Sequence, residues 1–174
     1  MTSAYDIVIA GGGPVGAALA LALQKSSHRI ALLEARPLDE MRDDARTIAL
    51  SHGSRLILER LGVWSLLNVT EIRTIVVSQQ RQFGRVELTA READVPALGY
   101  VTAYAGLQRI LGNALRETTV DVLDRCSARA IDATEDGATV MAESGNVVSE
   151  INTRLVVLAD GARSEEHTSE LQSH

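Results

Sequence analysis

The run Gly11-Gly12-Gly13-Pro14-Val15-Gly16 and the acid Glu34 are the residues of this sequence best suited to binding chemistry. Gly11 permits a tight turn out of a strand, and Gly13 lets the backbone approach a diphosphate with no Cβ in the way. Gly16 allows a following helix to pack close to that strand. Proline fits the start of a helix, where its missing N–H would have been unpaired anyway. A helix beginning near Pro14 and Val15 then points its unpaired N–H groups and positive dipole end at phosphate oxygens. Glu34 can accept hydrogen bonds from both ribose hydroxyls of an adenosine, and its charge repels the 2′-phosphate of NADP. The reading is a dinucleotide site; these residues do not separate FAD from NAD. The opposing reading, a glycine-rich turn with an incidental surface Glu, must place three glycines and an acid in register by chance.

The elements around this motif have the order that such a site needs. Tyr5 to Ala10 carries the apolar run Ile7-Val8-Ile9 of a buried parallel strand. Val15, Leu19, Ala22 and Leu23 follow at helical spacing, and Ile30 to Leu33 forms a second strand ended by Glu34. A β-α-β unit of this kind predicts a parallel sheet with a right-handed crossover. Ser54 to Leu61 reads as a helix capped by Ser51 or Ser54 and stopped by Gly62. Ile75 to Gln79 and Arg85 to Thr89 predict a hairpin around Phe83-Gly84. Leu107, Ile110, Leu111, Ala114 and Leu115 mark an amphipathic helix, and Val120 to Leu123 a strand. Ala128 to Thr134, Ala138 to Ala142 and Val147 to Ile151 predict an antiparallel meander turning at Asp136-Gly137 and Ser144-Gly145-Asn146. Leu155 to Ala159 is a further apolar strand leading into Asp160-Gly161.

Composition narrows the function classes. The 174 residues are 45% hydrophobic and 23% charged, as in a soluble globular domain, with only 3% aromatics. A net charge of −6 argues against nucleic acid as partner, because phosphate backbones attract basic faces. The single cysteine, Cys126, in an expected loop, excludes a disulfide framework and suits a reducing, cytoplasmic compartment. The longest apolar stretch, Val15 to Leu23, is too short to span a bilayer. No metal-ligand set and no nucleophile–base pair stands out; His28 is expected to cap the first helix and His52 to be structural. Tyr100, Tyr104 and Phe83 are placed either on a substrate side or in packing.

Asp44-Ala45-Arg46-Thr47-Ile48-Ala49-Leu50-Ser51, then Gly53-Ser54 and Leu61-Gly62-Val63-Trp64, resemble the ubiquinone-biosynthesis hydroxylases, within the para-hydroxybenzoate-hydroxylase-like flavin monooxygenases. Pro96 to Val101 and Leu155 to Ala162 match the same family, so the resemblance runs from about Tyr5 to Ala162. It implies an α/β, Rossmann-like FAD-binding domain over residues 1–162, with the first substrate-domain strands at about 72–100. It also implies FAD as cofactor, NAD(P)H as co-substrate and a polyprenyl phenol as substrate. A parent protein at the membrane periphery or in a complex of ubiquinone enzymes follows from that substrate. Arg46 would lie near the flavin pyrophosphate, which a forked guanidinium suits; the alternative is an exposed arginine paired with Asp43 or Asp44. Asp160-Gly161 resembles the family's Asp-Gly motif, against a plain turn after a strand. At the entry to the helix of Leu107 relatives carry a polar pair that contacts the flavin; this sequence departs from them with Ala103-Tyr104, and Gln108 or Arg109 is the candidate flavin contact on the helix.

Arg163 to His174 is polar and aperiodic and resembles the translation of a sequencing adaptor, so 163–174 is expected to be non-native. The chain is therefore expected to be an N-terminal part that cannot hydroxylate by itself and leaves apolar surface uncovered. Two other readings stand beside this one: another FAD-dependent oxidoreductase or reductase, and a catalytically incomplete dinucleotide-binding piece.

Overall fold

The computed structural model describes residues 5–37, 44–78 and 85–161. In chain order the elements begin with β1 (Tyr5–Ala10), α1 (Pro14–Leu23), β2 (Ile30–Glu34), β3 (Thr47–Ser51) and α2 (His52–Arg60). A single 3-10 turn, Trp64–Leu66, leads to β4 (Val69–Ile72), β5 (Thr74–Ser78), β6 (Arg85–Thr89) and β7 (Gly99–Ala103). The chain continues with α3 (Tyr104–Arg116), β8 (Asp121–Asp124), β9 (Cys126–Thr134), β10 (Gly137–Ser144) and β11 (Val147–Leu158). These elements fall into two compact units, Met1–Met41 with Leu111–His174, and Arg42–Ile110. Among the described residues no helix is long and apolar enough to cross a membrane.

The first unit is one six-stranded sheet in the order β8-β2-β1-β11-β10-β9. Its β1, β2, β8 and β11 run parallel, as the β-α-β pattern predicts, and β9, β10 and β11 form the expected antiparallel meander. β11 belongs to both halves. Val147 to Thr153 pairs antiparallel with β10, and Thr153 to Leu158 pairs parallel with β1. The sequence reading divides this segment into two strands, 147–151 and 155–159, but Asn152-Thr153-Arg154 holds no glycine or proline to break it. The change from mixed to apolar residues marks a change of neighbouring strand, within one continuous strand.

The sheet core gathers Val8, Ala31, Leu33, Val140, Ala142 and Ile151 around Cys126. Cys126 is therefore the buried first residue of β9 and not a loop residue, and burial pushes its thiol pKa up. α1 turns Gly16, Ala17, Ala20 and Leu21 inward, while Val15 is 74% exposed. Of the expected stripe, Val15 and Ala22 are exposed and Leu19 and Leu23 only half-buried, so it is not the innermost face. α1 is apolar nearly all round, so periodicity cannot choose a face, and the small residues decide it by allowing close approach. α1 ends at Leu23 with Gln24 as its C-cap, so His28 does not cap it. His28 instead lies 4.0 Å from Asp6, whose carboxyl is held below its ordinary pKa chiefly by the Arg29 N–H that donates to it at 2.9 Å.

The second unit holds a three-stranded antiparallel sheet, β3-β7-β4, and the β5–β6 hairpin. β3 alternates inward Ile48 and Leu50 with outward Thr47, Ala49 and Ser51, the period of a half-buried strand. α2 is capped by Ser51, whose Oγ accepts from the Ser54 N–H at 3.1 Å, and so begins two residues before the expected Ser54. β5 pairs with β6 as predicted, Ile75 opposite Leu88 and Val77 opposite Val86; Phe83-Gly84 lies outside the described residues. Of the apolar positions predicted on α3, which runs from this unit into the first, Leu107, Ile110, Leu111 and Leu115 are buried and Ala114 is half-buried.

Candidate dinucleotide-binding site

In the first unit the glycine run leaves the carboxyl end of β1 between β2 and β11. The Gly11 N–H donates to the Leu33 carbonyl at 2.9 Å, and the Ala159 N–H donates to the Ala10 carbonyl at 2.8 Å. Gly11 has φ +113°, a left-handed value that other residues rarely adopt, and a Cβ there would sit 2.5 Å from the Ala159 carbonyl oxygen. A Cβ on Gly16 would overlap the Gly11 carbonyl, so the helix can close on the strand only through a glycine. The expected roles of Gly11 and Gly16 in the turn and the packing match this geometry.

Gly12 has a requirement of its own that motif reasoning left out. A Cβ on Gly12 would come within 2.8 Å of the Glu34 Cβ. That close approach lets the Gly12 N–H donate to Glu34 Oε2 at 2.8 Å. Glu34 Oε1 accepts from the Arg36 N–H at 3.1 Å, with Arg36 Nε 3.5 Å away. Glu34 is only 5% exposed and points at the loop. A carboxylate has about four acceptor positions over its two oxygens. The two backbone bonds use one on each oxygen, so a position on each is left to receive a ribose hydroxyl. The only sequence signal for Gly12 was the third glycine itself.

Gly13 is the N-cap of α1, in extended conformation and with no side chain to cap it, and Pro14 opens the first turn. The first helical bond runs from the Ala17 N–H to the Gly13 carbonyl at 2.9 Å. The N–H groups of Val15 and Gly16 precede it and have no helical acceptor. Uncapped amides at the positive end of a helix dipole suit a diphosphate, with the glycines keeping Cβ atoms out of its way. The donor set fits such a group. Asp160 and Gly161 follow β11, the strand on the other flank of β1, and Gly161 has φ +75°. Glu34, the glycine run and Asp160 thus share the carboxyl edge of three adjacent parallel strands. Open α/β sheets place ligands at that edge, beside the strand where the connections change side. Two open hollows of about 180 and 300 Å³ lie around the β9–β10 turn, and neither is lined by the glycine run.

The remaining candidates belong to the second unit. Arg46 precedes β3 and forks onto Asp44, Nε to Oδ1 at 2.8 Å and Nη2 to Oδ2 at 2.6 Å. Its Cζ lies 4.9 Å from the centroid of the Tyr104 ring. Hydrogen bonding with Asp44, helped by that carboxylate's charge, raises the already high pKa of the guanidinium. The pairing with Asp44 foreseen as the alternative is present, while the guanidinium stays 68% exposed. Gln108 is half-buried on α3.

One cluster in this unit was not foreseen. Tyr100 is buried, receives a hydrogen bond from Arg55 Nη1 at 2.6 Å and meets Trp64 edge to face at 4.9 Å between centroids. Arg55 also donates to Glu59 at 2.7 Å, an i,i+4 pair that the sequence does display. Tyr100 is thereby held in packing. His52, at the start of α2, buries an Nδ1 with no hydrogen-bond partner among the described residues.

Residues 4–170 match the family described as the FAD binding domain. The chain is 31% identical over 167 residues to 3-demethoxyubiquinol 3-hydroxylase of Escherichia coli (strain K12), covering 92% of this chain and 42% of that protein. It is 28% identical over 166 residues to the ubiquinone hydroxylase UbiM of Neisseria meningitidis, covering 89% of this chain and 35% of that protein. The crystal structure of p-nitrophenol 4-monooxygenase PnpA from Pseudomonas putida DLL-E4 superposes with a TM-score of 0.76 at 20% identity, a likeness of fold. It covers 97% of this chain and 44% of that one. The chain spans less than half the length of each of these proteins.

Proposed function

This chain belongs to the FAD-binding domain family, and from that premise we propose that it is the N-terminal part of an aromatic-ring monooxygenase of ubiquinone biosynthesis. The protein would use FAD, NAD(P)H and dioxygen, and its substrate would be a polyprenyl phenol. What supports the reaction class is that two relatives carry the names of ubiquinone-pathway hydroxylases. What supports the cofactor is one observation above the others: Glu34, buried, is tied to the Gly12 amide beside an uncapped helix start.

In this reading Gly11, Gly13, Pro14, Val15 and Gly16 make the turn and present amides to the FAD diphosphate, and Glu34 takes the adenosine ribose. Arg46, Gln108, Asp160 and Gly161 are the further FAD contacts that the family resemblance proposes. When bound, FAD would supply the redox chemistry, by which two electrons from NAD(P)H let one atom of dioxygen enter the ring while the other leaves as water. The chain's own residues bind and orient: the glycine loop fixes the diphosphate, and Glu34 fixes the sugar by accepting from its hydroxyls. The prenylated substrate would bring the whole protein to a membrane edge or to companion enzymes of the pathway.

Two measurements test this. Titrating the chain with FAD should quench flavin fluorescence, and Gly16→Val, which drives a side chain into the Gly11 carbonyl, should abolish the quench. The whole protein should incorporate labelled dioxygen into a prenylated phenol at the expense of NAD(P)H. A protein that reduces such a phenol without oxygen incorporation is a reductase, and the monooxygenase reading is lost.

A further inference from the structure

β11 changes neighbour part-way along, and one stretch of its edge is left over. Its pairing with β10 ends at Thr153 opposite Ala138, while its pairing with β1 runs on to Leu158 opposite Ala10. Beyond Thr153, the side of β11 that β10 occupied has no strand beside it among the described residues. Backbone direction decides which groups lie there. The Ala159 N–H donates to the Ala10 carbonyl, so it points at β1. Successive residues of a strand turn their N–H and carbonyl groups to opposite edges. Leu155 and Val157 therefore face β1, and Val156 and Leu158 turn theirs to the open side.

The residues at this edge are those of a strand with neighbours on both sides. Strands inside a parallel sheet read as unbroken apolar runs, and residues 155–158 are Leu-Val-Val-Leu. Yet Leu155 is 53% and Leu158 62% exposed, on opposite faces of the strand. Beside the edge lies the open hollow of about 300 Å³, walled in part by Leu155, Val156, Leu158, Ile131 and Ala133. The two outer edges of the sheet are guarded by shortness, charge or irregularity. β8 is only 4 residues long and carries Asp121 and Asp124. β9 carries Arg129 and Asp132 and meets a register shift in β10. The 155–158 edge has neither charge nor proline.

We propose that this edge receives one further strand, an extended aliphatic segment supplied by the longer protein to which this chain belongs. The open N–H and carbonyl groups select an extended backbone, and the apolar walls select aliphatic side chains on both of its faces. The matched proteins have the length to supply such a segment, since this chain spans 42% of one and 35% of another. The proposal does not depend on the FAD reading, because strand register and exposure carry it.

Hydrogen exchange on the chain as it stands tests this, with a soluble strand as probe: the acetylated and amidated peptide Lys-Val-Leu-Val-Val-Lys. In the chain alone the amides of Leu155 and Val157 should exchange slowly, and those of Val156 and Leu158 at least about tenfold faster. Adding the peptide should slow Val156 and Leu158 by about tenfold and leave Leu155 and Val157 unchanged. The same peptide with its backbone nitrogens methylated cannot donate and should slow neither. Val156→Pro removes an N–H that bonds nothing in the chain, so it should keep the fold and lose the peptide. If the proline disturbs the strand, the methylated peptide makes the same test. Slow exchange of Val156 and Leu158 in the dilute chain alone would mean that its own residues fill the edge, and overturns the proposal. Slowing that grows with chain concentration and not with peptide assigns the edge to a second copy, and overturns it too. So does unchanged exchange at millimolar peptide.

Discussion

The glycine loop of the first unit and the Arg46 cluster of the second are built from opposite materials. The loop is backbone: Gly11, Gly12 and Gly16 are held where a single Cβ would strike main chain or the buried Glu34. The cluster is side chain: a guanidinium two-thirds exposed, an acid beneath it and a ring against it. Sites made of backbone are set by the fold itself and break with it, whereas a side-chain cluster on a surface can lose a member while the fold stands. Substitutions in the two regions should therefore differ in kind as well as in size.

The largest effect is expected at Gly11. Gly11→Val combines a left-handed φ with contact to the Ala159 carbonyl, and the two penalties together should cost about 4 kcal/mol. Urea unfolding of the first unit measures it, and a loss under about 1 kcal/mol would show that the loop can relax as the Arg46 cluster can. Next comes Glu34→Ala, which leaves the buried Gly12 N–H without an acceptor and should cost about 2 kcal/mol. Glu34→Gln should recover part of that, because the amide oxygen can still accept from Gly12 while its NH₂ faces the Arg36 N–H. In the second unit Tyr100→Phe deletes the Arg55 hydrogen bond but keeps the edge contact with Trp64, for a loss of about 1 kcal/mol. Arg46→Ala should change stability by less than about 0.5 kcal/mol, while acting on FAD affinity. Equal destabilisation by Arg46→Ala and Glu34→Ala would remove the contrast altogether.

The same difference in material explains what the sequence disclosed. The glycine loop was legible because glycine is itself the signal: only positions with φ > 0 or close approach require it, and the flanking strands and acid fix the register. Arg46 was visible as a residue, and its pairing with Asp44 as one of two partners. Its ring partner was not, because Tyr104 reaches it through the pairing of β3 with β7, strands separated by more than half of the second unit's sequence. Arg55, Tyr100 and Trp64 were hidden for the same reason: no local period brings a helix, a turn and a strand together. The face of α1 was misread because ten nearly uniform apolar residues carry no usable moment. The joining of two expected strands into β11 escaped because a strand can exchange neighbours without a break.

The smallest expected effect on stability lies in the β5–β6 hairpin, and its smallness is the point. Ile75, Val77, Val86 and Leu88 share one face through the pairs Ile75–Leu88 and Val77–Val86. All four are exposed, between 39% and 58%. The opposite face carries Thr74, Ser78, Arg85, Glu87 and Thr89 with Val76. Such alternation belongs to a sheet surface that faces an apolar neighbour, yet among the described residues none covers it. Replacing Val77 and Leu88 together by threonine keeps hydrogen-bonding capacity and β-propensity and removes apolar area. Because about half of each of these side chains stays in solvent in this chain, stability should move by less than about 0.5 kcal/mol. Self-association and the fluorescence of a hydrophobic dye should fall instead. A loss above about 2 kcal/mol would mean that the face is buried in the folded chain and that the apolar pairs hold it as Glu34 holds the glycine loop.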